Sequence, residues 1–132
     1  MTELPAAFAD LMNSPKAFAH LATVSPDGAP QVTPVWFDVM DGKVRVNSAK
    51  GRVKTRNMVE GAKVALSILD PDNAYRYIQV LGTVTKATET GGDAHIDALA
   101  KKCLGKDSYP FRKEGEVRVI FEITPTGVDT MG

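Results

Sequence analysis

The stretch AFAHLATVSPDGAPQVTPVWFDVMDGKVRVNS, residues 17 to 48, decides the fold class. Two apolar runs, AFAHLATVS and APQVTPVWFDV, flank Pro26-Asp27-Gly28, a turn signal, and the pair reads as a β-hairpin. A second turn at Asp41-Gly42 leads into KVRVNS. There Val44 and Val46 alternate with Lys43, Arg45 and Asn47, the period of a half-buried strand.

Working outward, the segment before this block places Leu4, Phe8, Leu11 and Met12 at helical spacing. Pro5 suits the first turn, and Asn13-Ser14-Pro15 ends it. After it, GRVKTRNMVEG switches to helical character, with Arg52 and Arg56 on one face and Val53 and Met58 on the other. AKVALSILD predicts a strand ended by the turn DPDN. YRYIQVLGTVTKA predicts a long one, and Gly82 inside it marks a bulge or bend. Residues 91–104 fit a helix with Ile96, Leu99 and Ala100 inward, and a loop through Tyr109-Pro110 follows. In EVRVIFEITPTGV, Val117, Val119, Phe121 and Ile123 alternate against Glu116, Arg118, Ile120 and Glu122. The pattern gives six strands, mostly hairpin-linked, with two or three short helices. Strand–helix–strand alternation is absent, which argues against a parallel Rossmann sheet and for a small antiparallel barrel.

At 132 residues the chain suits one domain, 1–132, and 43% hydrophobic residues suffice for its core. No apolar run reaches the ~18–20 residues that span a bilayer, so no membrane partner is expected. No basic stretch followed by an apolar block opens the chain, so no signal peptide is expected. The single cysteine, Cys103, excludes an intrachain disulfide and fits a reducing compartment; a cytoplasmic protein is expected.

The net charge is zero, yet six of the sixteen Lys and Arg residues lie between Lys43 and Arg56, with no acid among them. Neutrality and the lack of interleaved aromatic residues argue against a nucleic-acid partner. A local concentration of cations fits a small anion instead. In NSAKGRVKTRNM, residues 47–58, a strand ends at Asn47 and Ser48 and a helix starts beyond Gly51. A helix start offers unpaired N–H groups, Arg52 a bidentate guanidinium, Lys54 a mobile charge and Ser48 a hydroxyl, the parts of a phosphate cradle. The same residues also fit a solvated basic face on a short helix. The pattern is neither a Walker A loop nor GxGxxG.

Other candidates carry less. His20 and His95 with one cysteine give no metal-ligand spacing, so no metal is expected, and both histidines read as hydrogen-bonded structural residues. GxSxG is absent and no triad assembles. Trp36 fits either core packing or a pocket wall, and Tyr75 and Tyr77 share a strand face at an interface or a ligand. An anion cradle without acid–base machinery is expected where a cofactor carries the chemistry.

The run FAHLATVSPDGAPQVTPVWFDVMDGKVRVNSAKGRVKTRNM, followed in order by YIQVLGTV, HIDALAKKCLG and RVIFEITPTGV, resembles the flavin and deazaflavin oxidoreductases of the split β-barrel superfamily. These are the pyridoxamine-phosphate-oxidase-like proteins, and the later pieces look like the actinobacterial branch that uses coenzyme F420. The resemblance implies a mainly β fold with peripheral helices, a six-stranded antiparallel split β-barrel. It implies a homodimer with cofactor sites at the interface. The phosphate-holding turn carries over to Asn47, Ser48, Ala49, Lys50, Arg52 and Lys54. The ring-contacting strand carries over to Val32, Thr33, Pro34, Val35 and Trp36, with Tyr77 and Gln79 reaching in from the other subunit. The implied activity is hydride transfer from reduced F420 to a small conjugated or quinone-like acceptor, with no catalytic side chain nominated. An FMN-dependent oxidoreductase and a non-catalytic F420-binding protein are the alternatives. The residues after the last strand lack the Trp, Arg and His with which true pyridoxamine phosphate oxidases grip substrate, so vitamin B6 oxidation is not expected.

Overall fold

A computed structural model describes residues 2–132. A 3-10 turn, Ala6–Phe8, runs into α1, Ala9–Met12. The hairpin block forms β1, Ala19–Val24, β2, Pro30–Val35, β3, Phe37–Met40, and β4, Lys43–Ala49. Then follow α2, Val53–Asn57, β5, Lys63–Asp70, β6, Asn73–Thr88, α3, Gly92–Leu104, and β7, Arg118–Met131.

All strands join one antiparallel sheet in the order β2-β1-β5-β6-β7-β4-β3. Its two edges, β2 and β3, are separated in sequence by Trp36 alone. Their ends at Val35 and Phe37 therefore stand no more than about 7 Å apart, two Cα steps. A seven-stranded sheet with tethered edges cannot lie flat, so it curls into the split barrel.

The same residue corrects the strand count from six to seven. The run APQVTPVWFDV, expected as one strand, changes partner at Trp36: Val35 still pairs with Ala19 of β1, and Phe37 already pairs with Val46 of β4. No straight strand serves both neighbours around so small a barrel.

Alternate side chains of each strand fill the interior, as the two-residue period predicts; Leu21, Val46, Leu66, Val80, Phe121 and Ile123 are all buried. α1 closes one end with Leu11 and Met12. The expected irregularity at Gly82 is present: the β6–β7 register shifts there, and a Cβ would stand 2.5 Å from Ile123 Cγ2. Among the described residues no helix is long and apolar enough to cross a membrane.

α3 lies on the outer face of β7 and β4. Gly92, its first residue, packs so tightly on the Arg118 backbone that a Cβ would overlap the carbonyl. Gly92→Ala is expected to push α3 off the sheet and destabilise the fold by roughly 1–3 kcal/mol, the usual range for overpacking. A urea titration measures this, and an unchanged midpoint would show that α3 tolerates displacement there.

Candidate functional site

Beside Trp36, where β2 gives way to β3, a cleft of about 480 Å³ opens between the sheet and α3. Ile96 and Leu99 of α3, with Phe18 and Val35, make its apolar walls. Trp36, Tyr109 and Phe111 form an aromatic rim, in edge-on contacts of 5.9 Å for Trp36–Tyr109 and 5.7 Å for Tyr109–Phe111. The loop that carries this rim is tied down: the Tyr109 N–H donates to Asp97 Oδ1 at 2.8 Å, and Arg112 pairs with Asp97 and Asp93.

The polar residues of the cleft are Asn47, Arg52, Lys54 and Arg118. Asn47 and Arg118 share one face of the sheet, because Asn47 stands opposite Ile120 and Ala49 opposite Arg118. Arg118 is only 4% exposed. Its Nε donates to Glu116 Oε1 at 2.8 Å and its guanidinium stacks 4.7 Å from the Tyr109 ring, while Nη2 has no partner among the described residues. Burial lowers the Lys54 ammonium pKa below its ordinary value, and the nearby Arg52 and Arg118 charges lower it further. Three cations thus converge on one partly enclosed cleft.

Asn47 is fixed from behind. Its Nδ2 donates to the Gly92 carbonyl at 2.9 Å and lies 3.1 Å from His95 Nδ1. The Gly92 oxygen can only accept, which sets the amide orientation; His95 Nδ1 must then accept too. The proton of the imidazole sits on Nε2, 3.2 Å from Asp38 Oδ2. Asp38 in turn holds Arg45 through bonds of 2.8 and 2.7 Å. Burial alone would raise the Asp38 carboxyl, but hydrogen bonds from His95 and Arg45 bring its pKa down to about 2.

Of the residues expected at the site, Pro34, Val35, Trp36, Asn47, Arg52 and Lys54 meet in this cleft. The others lie elsewhere in the chain. Val32 is exposed on the outer face of β2, and Thr33 points the opposite way. Ser48 is buried, and its Oγ accepts from Thr55 at 2.8 Å, latching α2 to β4. Ala49 is a buried pairing residue. Lys50 forms a 2.6 Å ion pair with Glu89 outside the cleft. Tyr77 and Gln79 sit along β6, away from their own chain's cleft. α2 is only five residues long, so its dipole contributes little and side-chain cations carry the positive field.

Sequence reasoning missed Arg118, because alternation put it on the polar side of its strand; α3 and the aromatic loop cover that side. It read His95 as a hydrogen-bonded structural histidine, which it is, but named neither of its partners. No local spacing announces a partner 57 residues away at Asp38. Among the described residues no metal-binding cluster occurs.

The profile of the pyridoxamine 5'-phosphate oxidase family matches residues 4–132. A solved structure named F420 reductase superposes with a TM-score of 0.80 at 32% identity, over 96% of this chain and 98% of its own. A conserved hypothetical protein from Mycobacterium tuberculosis superposes with a TM-score of 0.72 at 20% identity, over 99% of this chain and 86% of its own. HupZ of Group A Streptococcus gives 0.68 at 19% identity, over 96% and 93%. The last two share the fold. No curated protein matches the chain.

The hydrogen-bonded Asp38 carboxylate links stability to pH. Its contribution is complete above the ordinary carboxyl value of 3.8 and is lost as pH falls toward about 2. Asp38→Asn should therefore melt below wild type at neutral pH and lose less stability than wild type between about pH 4 and pH 2. Parallel thermal melts across that window check it; identical acid profiles would show that the carboxylate is not held as described.

Proposed function

This chain belongs to the pyridoxamine 5'-phosphate oxidase family, and from that premise we propose that it is an oxidoreductase that binds reduced coenzyme F420 and delivers its hydride to a small conjugated or quinone-like acceptor. The observation that carries this reading is the convergence of Arg52, Lys54 and Arg118 beside apolar walls. Like charges so placed repel one another; the Lys54 pKa is lowered first by burial and then by the Arg52 and Arg118 charges. A phosphate among them relieves the repulsion, and the adjoining volume lies in the ordinary range for a small-ligand pocket. The donor set therefore fits a phosphate-bearing tricyclic ring. The likeness to the F420 reductase at 32% identity favours the deazaflavin. FMN, which needs the same phosphate cradle, is the rival that the family match supports.

When bound, the deazaflavin supplies the transferable hydride. The protein's part is placement. Arg52 and Lys54 hold the anionic end, with Arg52 able to grip phosphate oxygens in a bidentate fork. Ile96, Leu99 and the aromatic rim orient the ring and keep water from it. Holding donor and acceptor in near-attack geometry is worth roughly 7–11 kcal/mol at best, which needs no side-chain base.

The reading includes a homodimer. Tyr77 and Gln79 can meet a cleft only from a second copy. Val24, Val32 and Leu81 expose 53%, 64% and 48% of their surfaces on the sheet exterior, where a partner would cover them. Light scattering should give about twice 14.2 kDa; a monomer that still binds F420 at full affinity would remove the shared site.

Fluorescence titration with F420 and with FMN tests the ligand. Arg52→Glu and Lys54→Glu should each weaken binding at least about tenfold, since a charge-assisted hydrogen bond is worth about 1.5–3 kcal/mol. Affinity should also fall as pH rises through the lowered Lys54 value, because only the ammonium form attracts the phosphate, and Lys54→Met should flatten that profile. Tighter binding of FMN at every salt concentration would transfer the assignment to the flavin. Equal affinities for wild type and both charge-reversal variants would remove the cradle.

A further inference from the structure

Among the described residues Lys54 is the one lysine that lines the cleft, and no Asp or Glu lines it. The amine therefore has two guanidinium neighbours, Arg52 and Arg118, and no carboxylate on the cleft wall. Burial, and then those two charges, disfavour its ammonium form. An amine stripped of water beside other cations is where a lysine becomes a nucleophile. Other lysines lack part of this setting. Lys50 is exposed and paired with Glu89 at 2.6 Å. Burial disfavours the Lys102 ammonium too, but its Nζ donates to the Phe37 carbonyl at 2.7 Å and lies 4.3 Å from the Phe37 ring, outside the cleft. Lys102 is spent on a structural bond, whereas Lys54 opens onto a cavity.

The cavity also brings a reagent to that amine. Arg118 is 4% exposed, and its Nη2 has no partner among the described residues, so it can donate to an anion that enters. Arg52, which is exposed, adds a bidentate fork. Beside them Ile96, Leu99 and the aromatic rim offer apolar surface. A small aromatic ring that bears an anionic group meets both kinds of surface. An aldehyde on such a ring is brought next to the amine.

We propose that Lys54 is a covalent site for small aromatic aldehydes that carry a phosphate: Arg52 and Arg118 hold the phosphate while the amine forms an imine. The free Lys54 Nζ adds to the carbonyl carbon, the C=O π pair moves to oxygen, and a proton passes from nitrogen to that oxygen. The nitrogen lone pair then forms the C=N bond as the C–O bond breaks. The hydroxyl takes up one proton and leaves as water, and the iminium nitrogen returns one proton. Nothing is oxidised or reduced, and water reverses the step. This goes beyond the cofactor reading and does not depend on which cofactor the cleft holds. Lys54 cannot carry the adduct and also attract a phosphate as an ammonium, so the adduct closes the cleft to the cofactor.

The experiment needs no turnover. The probe is 4-formylphenyl phosphate, compared with the uncharged 4-methoxybenzaldehyde. Apo protein is incubated with each at about pH 7, where ordinary lysines are protonated. Cyanoborohydride reduces any imine to a stable secondary amine, intact mass counts the adducts and peptide masses place them. Each rate is taken relative to the exposed Lys63 and Lys106. Lys54 should take up the phosphate probe at least about tenfold faster than the neutral one, because anchoring the anion makes the attack effectively intramolecular. Excess sulfate, which occupies the cations and forms no imine, should cancel that advantage. Lys54→Arg should lose the fast adduct and keep the slow ones. Arg118→Met should narrow the ratio between the two probes.

Labelling of Lys54 no faster than of Lys63 or Lys106 would overturn the site. Equal Lys54 rates for the two probes would overturn it as well, since they would show an amine with no anion holder beside it. An undiminished fast adduct in Lys54→Arg would assign the reaction to another lysine. The wild-type map of adducts decides the matter even if a variant fails to fold. Selective labelling of Lys54 in a protein that binds neither F420 nor FMN would support this site and overturn the cofactor reading.

Discussion

One residue, Trp36, ties the two edges of the sheet together, and the rest of the molecule follows from that tether. Because β2 and β3 are consecutive, the strand bonded to β1 and the strand bonded to β4 cannot separate. The sheet must curl, and curling brings β4 and β7 beside the end of β2. That is where Asn47, Arg118, Pro34 and Val35 come within reach of one another. The edges are joined through the backbone rather than through a ladder, so the seam stays open on its outer side. α3 and the aromatic loop roof this seam, and the cleft is the space left beneath them.

The electrostatics of the cleft depend on which cations are already paired. Lys50 is neutralised by Glu89 and Arg45 by Asp38, and both lie outside the cavity. Arg118 is half satisfied by Glu116, and Lys54 is partly stripped of water. Chain neutrality therefore conceals a positive site. Lys50 and Arg45 are compensated outside the cavity, and within it Arg118 keeps one partner, Glu116. An uncompensated charge within low-dielectric walls attracts an anion far more strongly than the same charge on an open surface.

The hairpin block was legible because turn chemistry and two-residue alternation are local signals: Pro26-Asp27-Gly28 and Asp41-Gly42 each act within a few residues. Gly82 was legible for the same reason. The break at Trp36 was not, because APQVTPVWFDV keeps strand character throughout and a change of partner depends on barrel radius. In the site, the basic run announced Arg52 and Lys54, yet the same run suggested Lys50, which a glutamate 39 residues away takes out of the cleft. Arg118 was hidden by the assumption that the polar side of a strand meets water. Asp38, His95 and Asn47 belong to three separate segments, and only the packing of α3 at Gly92 brings them into one chain of hydrogen bonds.

That β7 supplies both the strand that joins β4 to the rest of the sheet and the buried guanidinium has a consequence for how the protein is made. During synthesis β1 to β4 and α2 emerge first, with Asn47 on β4, Arg52 at the start of α2 and Lys54 within it. β4 has no partner but β3 until β7 arrives about seventy residues later, an expensive loop to close in the folding of any sheet. Until then there is no floor beside Asn47, no platform for α3 and no third cation. The nascent chain consequently has no half-built cavity in which a ligand could lodge wrongly. The cavity is complete only once β7 has paired with β4 and brought Arg118 beside Asn47.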